Sequence, residues 1–459
     1  MSDAGSGPDS VRNSDTTVLS GETGSTAATG SPTATVIPGI TAPDGGSCIA
    51  TDPVVTVTTS SGSYSTCTGA IAETRFLNAL CTCGDLTERG NLKTSGIDST
   101  NGSTAANVGG GSVGVNQDFF LAGNALIGGT LTLAGTASTR LAASNLDVGG
   151  NFWAQPTIEQ HGTTQINGNA YFGSEFVNFG HFTIFGNVYS ENPVRVNLSA
   201  QGTFHGSIIK QSVTVSAPCA CKSTDLLDIA ALVNEAKTSN DDTLAGVDPN
   251  ALASVQPSSS ANLTLICGRY FLTSISGGGN VHLDVKGPVS LFVDDSISLR
   301  GNITISLDPL ASIDIFIRNS ITIAGNSSFG NVDRPSATRL YVGKGDITLA
   351  GNGNFVGNVY APNSAVTLPG NFTVYGSVFA KNFNNPGNTT IVYDKAIQHA
   401  GENCKKTEPP KGTCSQCGTC TGGTACVGGS CGACTKDSDC CSPLTCQNGM
   451  CKESLPIVF

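Results

Sequence analysis

Charge is scarce in this chain: Asp, Glu, Lys and Arg together make up 12% of the residues. A helical bundle dresses its outward faces with Lys, Glu and Arg, so this shortage, with aromatics at only 6%, argues against one. Cations are scarcer than anions, and the net charge is −11. No cationic stripe is available to displace counterions from a phosphate backbone, which argues against a nucleic-acid partner. No apolar run approaches the length of a transmembrane helix. The start, Met1 followed by Ser, Asp, Gly and Pro, has neither the basic patch nor the apolar stretch of a signal peptide. Also missing are an Asp-rich calcium loop, a P-loop and a nucleophile elbow.

Glycine, cysteine and short aliphatic runs are what the chain has. Fifty-seven Gly, with Asn, Ser and Thr, punctuate runs of Val, Ile and Leu, the composition of an all-β protein. Eighteen cysteines would be a liability as free thiols in reducing cytosol, so they point to an oxidising compartment. The expected location is extracellular or on the outer cell surface, with the written sequence starting after an export segment or set late.

Seven cysteines lie in the body, Cys48, Cys67, Cys81, Cys83, Cys219, Cys221 and Cys267. Eleven lie in the tail, Cys404, Cys414, Cys417, Cys420, Cys426, Cys431, Cys434, Cys440, Cys441, Cys446 and Cys451. All are disulfide candidates. Both counts are odd, so complete pairing requires a bridge between body and tail, and Cys404 at the junction is the best placed.

Four regions follow. Residues 1–47 are low-complexity Ser/Thr/Gly/Ala, too polar to offset ordering entropy, and are expected to be a disordered tether. Residues 48–111 form a β-rich lead-in whose four cysteines are expected to staple it. Residues 112–400 repeat. A Gly-Asn step recurs at Gly150-Asn151, Gly168-Asn169 and Gly186-Asn187, 18 residues apart, and again from Gly279-Asn280 through Gly301-Asn302, Gly325-Asn326, Gly351-Asn352 and Gly370-Asn371 to Gly387-Asn388. Between the steps, aliphatic residues alternate with polar ones, as in Val281, Leu283 and Val285 or Ile313, Ile315 and Ile317. A coil of about 20 residues cannot close a core alone and must stack on its neighbours at about 4.8 Å per coil. The expected fold is a right-handed parallel β-helix, with positive-φ glycines at the corners and Asn side chains stacked in a ladder.

One helix interrupts the repeat within an insertion over 222–240. Thr224 is its expected N-cap, and Leu226, Ile229, Ala230 and Val233 its apolar face. It is expected to lie against the solenoid or to cover an open end, clamped by Cys219, Cys221 and Cys267. Residues 401–459 are expected to be a disulfide-rich module. A zinc ribbon on Cys414, Cys417, Cys431 and Cys434 is the weaker alternative, because further cysteines interleave with that spacing and no His follows His399.

Catalytic chemistry finds little footing. Glu159, Glu175, Asp294, Asp295, Asp314 and Asp346 do not recur at one phase of the repeat, as a carboxylate pair for glycoside cleavage would require. His161 and His181 fall at nearly one coil phase, but a pair without a third ligand is a weak metal site. Tyr171, Tyr189 and Tyr360, beside Gly-Asn steps, are read as packing at coil edges. Asn-x-Ser/Thr triplets at Asn302, Asn326, Asn371 and Asn388 coincide with the corners, and Asn197 and Asn262 also begin such triplets. No catalytic residue, metal or cofactor is assigned.

The run Phe355, Val356, Gly357, Asn358, Val359, Tyr360, Ala361, Pro362, Asn363, with Gly370-Asn371, Tyr375-Gly376-Ser377-Val378 and Val392-Tyr393-Asp394, resembles the β-helix of choice-of-anchor A and PilX-like bacterial surface proteins. The tail from Cys434 to Cys451 resembles knottin and Dickkopf-type modules. Myxobacterial lipoproteins with Cys-rich tails are similar in overall layout. The resemblance implies a surface or matrix role and no catalytic residues. The expected function is a rigid structural or adhesive β-helix at the cell surface, with cell-surface polysaccharide or a matrix protein as partner. A polysaccharide-binding or polysaccharide-degrading β-helix and a bactofilin-like polymer are the alternatives.

Overall fold

The computed structural model describes residues 36–41, 47–49, 52–59, 62–101, 110–136, 139–141, 145–191, 195–196, 202–350 and 353–402, with Cys404 and short stretches between 425 and 453. Most of the expected tether and Cys414, Cys417, Cys420 and Cys441 lie outside the described residues. Within 1–47, Val36–Thr41 pairs antiparallel with Ser47–Ile49, so that part of the tether is a strand, as its β-branched residues favour.

Alternation of aliphatic and polar residues produces a parallel β-helix of about 12 turns. Three strands make each turn. Gly268–Leu272, Ile275–Gly277 and Asn280–Val285 form one, and Pro288–Val293, Ile297–Leu299 and Ile303–Leu307 stack on it in parallel register. Val281, Leu283 and Val285 point into the shared interior, while His282 and Asp284 do not. Each buried Val, Leu or Ile contributes about 1.5–3 kcal/mol, and stacking extends that interior without a break.

The coils do not follow one another in chain order. Strand Leu80–Thr82 pairs with Val378, Phe379 and Ala380, strand Leu86–Glu88 with Phe383, Asn384 and Asn385, and strand Leu92–Ile97 with Thr389–Asp394. Residues 80–97 are therefore the coil next to the one that ends at Asp394. A first arm winds away from this seam through Val113–Val115 and Leu131–Leu133 to Ile208–Lys210. A second arm begins near Val255 and winds back to the seam, through Pro288–Val293 and Thr338–Val342. The solenoid thus begins at Leu80, inside the stretch expected to be a separate lead-in.

A strap on the outside connects the arms. Val215 N donates to Gln155 Oε1 at 2.9 Å and Cys219 N to Asn116 Oδ1 at 3.0 Å, both on the first arm. Leu227 N then donates to the Tyr360 hydroxyl at 3.2 Å, Asp241 N to Arg269 O at 2.7 Å and Ser276 N to Leu252 O at 2.8 Å, all on the second. The strap's helix runs over Ile229–Ala236, shorter than expected. Its N-cap is Asp228, whose carboxylate accepts from Ala231 N at 2.9 Å, rather than Thr224. Ile229, Leu232, Val233 and Ala236 form its buried face, and it packs on the side of the second arm.

The Asn ladder runs straight through the seam. Asn388 N donates to Asn371 Oδ1 at 3.2 Å, Asn91 N to Asn388 Oδ1 at 2.9 Å, Asn124 N to Asn91 Oδ1 at 2.9 Å and Asn145 N to Asn124 Oδ1 at 3.0 Å. Among the described corner glycines of the ladder, Gly370 has the expected positive φ, 139°, and the others serve a different purpose. Gly150, Gly168, Gly301 and Gly387 are not among the positive-φ residues. They are glycine because coils approach too closely for a side chain: a Cβ on Gly90 would overlap the Gly387 carbonyl across the seam.

One face of the second arm is covered. The hairpin Val54–Thr59 with Gly62–Cys67, the helix Thr68–Arg75 and the strap helix lie over Pro288–Val293, Ser312–Ile317 and Thr338–Val342. Those strands are consequently buried on both sides, which explains their aromatic ladder of Phe292, Phe316 and Tyr341, with centroids 5.0 and 4.6 Å apart.

Candidate functional site

The alternation that buries Leu80 and Thr82 inside the first coil turns Cys81 outward toward the strap. Cys81 bonds Cys219 and Cys83 bonds Cys221, with Cα–Cα distances of 5.8 and 5.6 Å, so two parallel bridges fasten the strap to the seam coil. Cys48 bonds Cys267 at the start of the second arm, with Cα atoms 5.8 Å apart. Cys67 bonds Cys404 at 5.9 Å, joining the chain as it enters the solenoid to the chain as it leaves. The four lead-in cysteines therefore do not staple their own segment: each reaches out to a distant one, because the solenoid interleaves the two ends of the chain. In the tail, Cys434 bonds Cys446 at 5.7 Å, which removes Cys434 from any zinc ribbon, and Cys440 is also disulfide-bonded. The side chains of Cys426, Cys431 and Cys451 lie outside the described residues.

Beneath the covering layer sits a buried ionic cluster. Arg339 is donor to both Asp314 oxygens, Nε and Nη2 each at 2.6 Å, and its Nη2 also reaches Asp52 Oδ2 at 2.8 Å. Thr68 Oγ1 donates to Asp314 Oδ2 at 2.5 Å, and Ser312 Oγ to Asp52 Oδ1 at 2.6 Å. Burial alone would lower the Arg339 guanidinium, but Asp314 and Asp52 reverse that and hold it well above the usual arginine range. The cluster pins the lead-in, through Asp52 and Thr68, to the second arm. Sequence reasoning missed this role, although Asp314 and Arg339 stand out as charges inside the apolar runs Ser312–Ile317 and Thr338–Val342.

A second buried acid closes the seam. Glu88 is fully buried at the end of Leu86–Glu88. Thr389 Oγ1, from the last coil of the second arm, donates to Glu88 Oε2 at 2.7 Å, and Asn385 Nδ2 donates to Thr389 Oγ1 at 2.6 Å. Gly90 N donates to Glu88 Oε1 at 3.3 Å. Desolvation outweighs these bonds and pushes the Glu88 carboxyl up to about 8, so it is protonated at neutral pH.

The remaining candidates stand apart. Asp294 pairs with Arg318 at 2.5 Å and Lys237 at 3.4 Å, Asp295 Oδ1 accepts from Asn319 Nδ2 at 2.7 Å, and Asp346 Oδ1 accepts from Ala365 N at 3.0 Å. Glu159 and Glu175 lie on the first arm. His161 does not stack on His181. The coil period there is 18, so His161 falls opposite Phe179, with centroids 4.5 Å apart, and His181 lies two positions further along. Tyr171 stacks on Trp153 at 3.5 Å and on Tyr189 at 4.7 Å, whereas Tyr360 is buried beneath the strap. Because the rings of that ladder cover one another's faces, they pack the coil edges and offer mainly their rims to solvent.

Residues 220–400 match the family model of a domain of unknown function, DUF7305. That span holds the strap helix and the second arm and ends at the seam. No curated protein and no solved structure matches the chain. Among the described residues, no helix is long and apolar enough to cross a membrane.

Proposed function

We propose that this protein is a rigid, disulfide-fastened rod displayed outside the cell or on its surface, with a structural or adhesive and non-catalytic role. One observation carries the reading: the four body bridges tie segments 138 to 337 residues apart, and all of them fasten pieces that cover or join the arms. A bridge closing a loop of about 100 residues or more contributes roughly 5 kcal/mol by restricting the unfolded chain, and it persists only where thiols are oxidised. The buried Asp314–Arg339–Asp52 cluster adds a second, redox-independent fastening of the same layer. Such a rod holds a fixed length, which suits a spacer or adhesive stalk.

The test uses the full chain in cells that make it. Alkylation without reductant, followed by peptide mass spectrometry, should find the body cysteines unmodified, and protease added to intact cells should reach the protein. Free thiols together with protection from external protease would overturn the reading and favour an intracellular polymer of the bactofilin kind. A polysaccharide-binding role is the second reading, supported by the exposed Phe179 ring stacked on His161 on the first arm.

A further inference from the structure

We infer that a flat face of the first arm, built on strands Thr164–Ile166, Phe182–Ile184 and Gly202–Phe204, is a binding surface for a neutral polysaccharide. The inference rests on the reading of the rod as displayed outside the cell, and it names the partner that reading leaves open.

Three neighbouring coils bring this face together. Thr164 pairs with Phe182 and Ile184 with Phe204 in register, so residues at alternate positions project outward in rows. One row carries Thr163 and Gln165, the next Phe179, His181, Thr183 and Phe185, and the third Thr203 and His205. Residues 161–167, 179–185 and 202–205 contain no Asp, Glu, Lys or Arg, in a chain of net charge −11. Phe179 is 38% and Phe185 46% exposed, one at each corner of the face. His161 stacks on Phe179 at 4.5 Å and His205 on Phe185 at 4.8 Å, with interplanar angles of 12° and 2°. The rings are thus held in place before any ligand arrives, which lowers the ordering cost of binding. At about 3.3 Å per residue the six steps between them span at most roughly 20 Å.

The chemistry selects the occupant. Anionic polymers and lipid headgroups are drawn chiefly by Lys and Arg, and these rows have neither. A protein partner anchors in a contiguous apolar patch, whereas here two aromatic corners are separated by Thr, His and Gln. A neutral glycan presents apolar C–H faces and hydroxyls in alternation: the Phe rims take the former, and Gln165, His181, Thr183 and Thr203 exchange hydrogen bonds with the latter. Within these three rows no carboxylate, Lys or Arg is desolvated, and Asp147, in register with Gln165 on the next coil, marks the edge of the uncharged patch. A flat face on a rod suits an extended polymer held at many weak points.

The full-length protein should be retained by at least one of three insoluble neutral polysaccharides, cellulose, chitin and a β-1,3-glucan, with alginate gel as the anionic counter-probe. Phe179→Ala with Phe185→Ala should weaken retention at least tenfold while leaving the circular dichroism and melting temperature unchanged. Thr183→Lys with Thr203→Lys, which leaves both rings in place, should weaken it as well. Leu310→Ala, on the second arm, should have no effect. The inference fails if none of the three polymers retains the protein, if alginate alone does, or if both double variants bind as wild type. It also fails if the Phe substitutions instead abolish a dimer seen by light scattering, since the face would then be a self-association surface. Retention on glucan by a protein that external protease cannot reach on intact cells would keep this surface and overturn the displayed-rod reading instead.

Discussion

Replacing Glu88 by Gln probes the seam through pH. The Glu88 carboxyl has an ordinary value of 4.5 and is raised by burial to about 8 in the folded chain. Between those two values the folded protein holds a proton that the unfolded chain has released. The unfolded state binds fewer protons, so stability falls as pH rises through the window. Each pH unit in it is worth about 1.4 kcal/mol, so the contribution present below pH 4.5 is eroded by about 3 kcal/mol at pH 7 and by about 5 kcal/mol near pH 8. Glu88→Gln keeps the shape and cannot ionise. Any difference in its bonds to Thr389 and Gly90 adds an offset of about 1 kcal/mol that does not vary with pH. The gap between variant and wild type should therefore be small and constant below pH 4.5 and grow in favour of the variant up to about pH 8. Comparing the two cancels Asp242, which burial pushes up to about 6 and which slopes in the same direction. The assay is urea unfolding at pH 4, 6, 7 and 8 with bridges intact, read by the single Trp153 in the first arm. A gap that stays flat from pH 4 to 8, or a variant that loses ground as pH rises, would show that Glu88 is ionised in the fold and refute the reasoning.

Arg339→Met leaves Asp314 and Asp52 buried without their cation and should cost about 3–5 kcal/mol in urea unfolding at pH 7, with part recovered at acid pH as Asp314, whose carboxyl burial already pushes up, takes up a proton. Gly90→Ala drives a methyl into the Gly387 carbonyl across the seam and should lower stability by about 3 kcal/mol or more, with hydrogen exchange rising in both 80–97 and 372–394. Under graded reductant, the half-buried Cys83–Cys221 bridge should open before Cys81–Cys219, both of whose residues are 3% exposed, as read by timed alkylation and peptide mapping. The reverse order would mean that the strap does not shield the inner bridge.

The coil itself was legible in the chain. Val281-x-Leu283-x-Val285 and Ile313-x-Ile315-x-Ile317 report their pleat because a strand repeats every two residues, and the Gly-Asn steps report the corner because coils touch there. The oxidised cysteines were legible by composition, and the parity of their counts pointed to Cys404. Less legible were the residues that serve more than one layer. Asp314 looks like any surface acid until the lead-in lies over it, and Glu88 until Thr389 arrives from 301 residues away. Phe179 and His161 are partners because the coils there repeat every 18 residues, whereas the two histidines are 20 apart.

Strand periodicity and sulfur content were thus determined by the sequence alone, since each is a property of near neighbours or of totals. The order of the coils was decided only in three dimensions. Parallel strands with the same repeat stack equally well whether or not a peptide bond joins them, so nothing local marks Leu92–Ile97 as the neighbour of Thr389–Asp394. What selects that arrangement is the fit of Glu88 to Thr389, Asn91 to Asn388 and Cys67 to Cys404, contacts that exist only after the two arms have met.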